Sequence, residues 1–77
     1  MELARQVARM RYDIRNFEII QIEKFWTHYD GDIYEEEFQD AIKTWEDMLT
    51  MCENAWHELQ QYTDSYLLLL DAEYEIR

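Results

Sequence analysis

Proline is absent from this chain and glycine occurs once, at Gly31. With only Gly31 available to interrupt it, the backbone is free to run as helix on either side, and folds built from many tight turns are disfavoured. Cysteine is equally scarce: Cys52 stands alone, so no disulfide closes within the chain and a thiolate metal site would need other ligands. No apolar run approaches the roughly 18 to 20 residues of a membrane span; the longest is Tyr66 to Leu70. The N-terminal stretch holds Arg5, Arg9, Arg11 and Arg15 but lacks the apolar centre of a secretory signal, so a cytoplasmic location is expected. Basic residues are few, 7 Lys and Arg against 18 Asp and Glu, and the net charge of −11 disfavours direct contact with nucleic acid or anionic lipid. A basic protein is the expected partner.

What the 77 residues do contain is 48 % apolar and 16 % aromatic side chains, too many for a disordered acidic tail and enough for one small domain, residues 1–77. In the second half Phe38, Ile42, Trp45, Leu49, Cys52, Trp56, Leu59, Thr63, Tyr66 and Leu70 recur at alternating steps of four and three. A seven-spaced row, Tyr34, Ala41, Met48, Ala55, Tyr62 and Leu69, widens that face beyond a two-stranded seam. Cys52 falls on this face and reads as a small buried hydrophobe. The pattern predicts one helix over about 33–76, roughly 66 Å long at ~1.5 Å per residue.

The first half predicts a helix over about 2–29, with Leu3, Val7, Met10, Ile14 and Phe17 in four-three steps. Tyr12, Ile19 and Trp26 form a further row, so this helix has apolar residues on more than one side and implies a second neighbour, most simply a second chain. A turn is expected at 30–32, where Gly31 can take the left-handed conformation and Asp32 can cap the next helix. Four arginines lie within residues 1–15, while residues 28–77 carry fourteen acids against Lys43 and Arg77. That asymmetry favours an antiparallel hairpin, with Arg5 expected near Glu58, Arg9 near Glu53 and Arg15 near Asp47. Exposed pairs of this kind contribute only about 0 to 1 kcal/mol each, so apolar burial must hold the fold.

The two predicted helices differ in length. Helix 1 can cover helix 2 only to about residue 60, which leaves Tyr62, Tyr66, Leu67, Leu69, Leu70 and Tyr74 without a partner in the chain. Either helix 2 breaks near Thr63 and its end folds back, or two hairpins associate as a four-helix bundle. The dimer is the preferred expectation, because so short a chain gains little from its own core. Those six residues are then the candidate dimer interface, and the fold class is all-α: an antiparallel hairpin with a long second helix.

Catalytic signals are lacking. His28 and His57 fall at opposite ends of such a hairpin, no glycine-rich phosphate loop is present, and carboxylates are too abundant to single out an acid–base pair. No enzyme activity, cofactor or metal is expected. The string Asp30 to Phe38, DGDIYEEEF, resembles the second half of an EF-hand calcium loop, with Asp30 at a ligand position, Gly31 at the sharp turn, Ile33 at the small sheet position and Glu37 at the closing carboxylate. Phe25 matches the residue before such a loop. The resemblance covers 14 residues, and Trp26 and His28 stand where the family places its first and third oxygen donors. A second resemblance is to small secreted helical hairpins with a WxG turn. In Tyr29-Asp30-Gly31 the tryptophan of that motif is replaced by Tyr29, and the following aromatic, Phe38, comes one residue late. This resemblance implies pairing into four-helix bundles and a structural or secretion-associated role.

The remaining functional feature is the acidic surface. Asp30, Asp32, Glu35, Glu36, Glu37 and Asp40 crowd the expected hairpin tip, and Glu46 and Asp47 continue along helix 2. These eight residues are the candidate partner-binding site. They suit a non-enzymatic inhibitor, or a nucleic-acid mimic of the phage anti-defence type, that occupies the basic surface of a nucleic-acid-handling protein.

Overall fold

The computed structural model describes residues 1–28 and 35–76, without the side chains of residues 26–28. The expected turn at 30–32, with Asp30, Gly31 and Asp32, lies outside the described residues. All described elements are helices: α1 (Glu2–His28), α2 (Glu35–Leu59) and α3 (Ser65–Ile76). Arg9 and Asp13 form an i,i+4 pair along α1 at 3.5 Å. Glu35, Glu36 and Glu37 occupy the first turn of α2, where the exposed backbone N–H groups favour negative charge.

The expected continuous helix over 33–76 is not formed. At Gln61 and Tyr62 the backbone N–H groups donate three residues back, to Glu58 O at 3.3 Å and Leu59 O at 3.0 Å, so the last turn of α2 tightens. The Asp64 carbonyl then accepts the Leu68 N–H at 2.9 Å and starts α3. Five residues, 60–64, thus separate the two helices. A straight rod would leave its last turns exposed. The break costs a few backbone hydrogen bonds, each about 1 kcal/mol net, and in exchange buries Leu69 and Ala72 on α1. Leu69 by itself is worth about 1.5 to 3 kcal/mol.

α1 lies between the other two helices, each of which packs on it. Lys24 pairs with Glu37 at 3.1 Å and Phe25 meets Phe38 edge to face at 5.2 Å. At the opposite end Ala4 and Val7 share a cluster with Leu59. Residues late in α1 therefore meet residues early in α2, and the two run antiparallel. α3 covers a different side of α1, where Ala4 and Ala8 pack with Leu69 and Ala72. α3 thus gives helix 1 a second neighbour at Ala4 and Ala8, while Tyr12 and Ile19 of the row that implied one stay exposed.

The core is small. Its buried members are Ala4, Val7, Ala8, Ile14, Leu59, Leu69 and Ala72, of which only Val7 and Leu59 are large and fully enclosed. The backbone extends 49 × 23 × 14 Å. A width of 23 Å accommodates three helices side by side at the usual ~8 to 10 Å spacing, and the thin third dimension leaves the broad faces of the slab without a covering layer among the described residues.

Ion pairs also differ from expectation. Arg5 Nε reaches Glu75 at 3.1 Å and Arg11 reaches Glu73 at 3.0 Å, both on α3, while Arg9 stays on its own helix. The expected pairs Arg5–Glu58, Arg9–Glu53 and Arg15–Asp47 are not among those of the described residues. α3, folded back beside the arginines, brings its carboxylates nearer than those of α2.

Candidate functional site

At 100° per residue, the exposed carboxylates of α2 fall along two edges of its outer face. Glu36, Asp40, Asp47 and Glu58 line one, and Glu35, Glu46 and Glu53 the other. All seven are exposed, and none pairs with a lysine or arginine among the described residues; Glu53 alone has a neighbour, His57, at 3.5 Å. Glu37 differs, because its carboxylate is held by Lys24. Of the eight acids singled out in the sequence, Glu35, Glu36, Glu37, Asp40, Glu46 and Asp47 are thus exposed on α2, and Asp30 and Asp32 lie outside the described residues. From Glu35 to Glu58 the seven span about 35 Å, one charge per ~5 Å, against one per ~1.7 Å along duplex DNA. One copy is too sparse to reproduce a duplex.

The six candidate interface residues separate into two groups. Leu69, 4 % exposed, belongs to the chain's own core, because the fold-back of α3 turns it onto α1. Tyr62, in the turn before α3, remains exposed, as do Tyr66, Leu67, Leu70 and Tyr74, the last four along the outer side of α3. Tyr66 also packs edge to face on Trp56 at 5.2 Å.

Reading the sequence as a hairpin placed Phe38, Ile42, Trp45 and Leu49 on a buried face. The structure instead leaves a trough open between α1 and α2. Two cavities lie along it: one of about 250 Å³ with nearly wholly apolar walls, including Phe17, Ile22, Phe25 and Trp45, and one of about 650 Å³ bounded by Ile14, Leu49, Trp56 and Tyr66. They adjoin at Glu18. The shift of the helix 1 stripe at Ile22 was the available signal, since it carries apolar residues past the reach of α3.

Cys52 lines the larger cavity and is half-buried. Burial pushes its thiol pKa up, with Arg11 opposing, so the thiol form is favoured and the nucleophilic thiolate is not. Among the described residues, no three His, Cys, Asp or Glu side chains converge as metal ligands, and no helix is long and apolar enough to cross a membrane. No protein-family model matches the chain, and neither a curated protein nor a solved structure is significantly similar to it.

Proposed function

We propose that this chain is a non-enzymatic acidic binding protein that occupies a basic surface of a cytoplasmic, nucleic-acid-handling protein and acts as its inhibitor. The observation that supports this most is the outer face of α2: seven exposed carboxylates held on one helix, none in an ion pair with lysine or arginine among the described residues, with Lys43 the single lysine among them. A helix fixes their spacing, so docking requires no ordering of the acidic side, and their summed field steers a cationic partner into contact. Nucleic-acid mimicry in the strict sense requires two copies side by side.

The test is capture of nucleic-acid-binding proteins from an extract of the source cell at increasing salt. Screening shortens from about 10 Å at 0.1 M to about 3 Å at 1 M, so capture is expected at the lower concentration and lost at the higher. A variant carrying Glu35→Gln, Glu46→Gln and Glu53→Gln should fail to capture at either, and the captured protein should lose nucleic-acid binding when the chain is added. Capture indifferent to salt and to the neutralised edge would sink the proposal.

A second reading is a structural or secretion-associated interaction protein that pairs with its own kind through apolar contact. The row Tyr66, Leu67, Leu70 and Tyr74 favours it. It ranks second because α3, at 12 residues, is about 18 Å long and falls short of the ~800 Å² per partner of a standard interface. Sedimentation of the chain beside Leu70→Glu decides it: a dimer dissociated by the substitution supports self-pairing, and a monomer in both removes it.

A further inference from the structure

We propose that the trough between α1 and α2 docks a cationic amphipathic helix of the partner, an inference that rests on the preceding reading of that partner as basic. The trough follows α1 from Val7 to Phe25, about 27 Å, which matches a helix of about 18 residues. It is open along its side, so it cannot enclose a small molecule on all sides, but it can take a helix that lays one apolar face into it. Its walls present Ile22, Phe38 and Leu49, all exposed. Among the described residues, nothing in a slab this thin covers them.

Charge selects the occupant. Glu18 stands where the two cavities meet and Glu53 lines the larger one. On the 100° wheel, Glu35 and Glu46 continue the Glu53 edge beside the apolar wall of α2. Two arginines also reach the larger cavity, but Arg11 is held by Glu73 at 3.0 Å, which leaves Arg15 as the one lining cation outside an ion pair among the described residues. A helix seated on the apolar floor with Lys or Arg flanking its apolar stripe meets carboxylates along α2. A second copy of this chain offers the opposite: the exposed row of α3 is flanked by Asp71, and α2 presents its acids. Carboxylate would then face carboxylate, with a charge of −11 on each side.

The test uses the full chain and two synthetic peptides of about 18 residues and identical Leu and Lys content. One has leucines at i, i+3, i+4 and i+7, and the other is permuted to abolish sidedness. Binding is read from tryptophan emission, to which Trp45 and Trp56 in the trough contribute, and from helix gained by the peptide. The sided peptide should bind one to one, about tenfold tighter than the permuted one. Ile22→Asn should weaken it about fivefold or more. Ile20→Asn should change nothing, since Ile20 is similarly exposed, 57 % against 65 %, on the opposite side of α1. Equal binding of both peptides, abolished by salt, would remove the trough while leaving the acidic-surface reading intact. Failure of both to bind at low salt would remove the two together. A self-dimer that Ile22→Asn dissociates would assign the trough to a second copy and overturn the proposal.

Discussion

Leu69 and Leu70 are adjacent and identical in chemistry, yet one is 4 % exposed and the other 61 %. Truncating each to alanine therefore isolates the fold-back of α3 from every other property of the chain. Leu69 packs in the cluster with Ala4, Val7, Ala8 and Leu59. Buried Leu→Ala changes cost about 2 to 5 kcal/mol, and a small core that includes Ala4, Ala8 and Ala72 places Leu69→Ala at the lower end, about 2 to 3 kcal/mol. For 77 residues, total stability on the usual scale is about 4 to 12 kcal/mol, so this one truncation removes a large share. At about 4 to 8 °C per kcal/mol, Tm should fall by roughly 8 to 24 °C. Leu70→Ala should stay within about 0.5 kcal/mol of the parent. Urea and thermal unfolding followed by far-ultraviolet circular dichroism measure both, over a wide range of protein concentration. Because the Leu69 contacts are intramolecular, the difference between the variants should not depend on concentration. Equal losses in the two variants, or a Leu69→Ala effect that vanishes on dilution, would refute the fold-back and restore the extended helix with an intermolecular partner.

Two further outcomes follow from the packing. Ala8 is 2 % exposed where α3 meets α1, and a larger side chain would force the helices apart; Ala8→Leu should cost about 1 to 3 kcal/mol and speed hydrogen exchange in α3 first. Unaltered exchange there would contradict the close approach. The raised thiol pKa of Cys52 means that the folded chain holds this proton more firmly than the unfolded one. Its contribution to stability is therefore complete below the unfolded thiol pKa and is lost as pH rises through the folded value. Cys52→Ala should flatten that alkaline decline, and thiolate absorbance should show the native thiol titrating above a free cysteine; a midpoint at or below the free value would contradict burial as the dominant cause.

Much of the architecture was readable before any coordinates. The absence of proline and the four-three rhythm specify helix over α1 and α2, and residues flanking Gly31 in sequence, such as Lys24 and Glu37, meet across the antiparallel pair. The acids of α2 are exposed for the same periodic reason: the positions that the apolar rows do not occupy face water. The break at residues 60–64 was much harder to see. Gln60, Gln61, Tyr62, Thr63 and Asp64 include neither glycine nor proline, and Leu59, Thr63, Tyr66 and Leu70 keep helical spacing straight across them. Thr63 was the only polar interruption of its row, and Asp64, followed by Ser65, was a weak sign of a helix start.

Periodicity decides which residues can share a face, because the geometry of a helix repeats locally and needs no partner. It cannot decide which face is covered, or by what, since that depends on elements distant in sequence competing for the same surface. Here α1 offered α3 the small residues Ala4 and Ala8 as a close-packing site within the chain's own reach. Closing a five-residue turn costs less entropy than recruiting another molecule. That competition buried Leu69, turned Leu70 and Tyr74 outward, moved the partner of Arg5 to α3, gave Arg11 one there too, and left the trough beside Ile22 and Trp45 open.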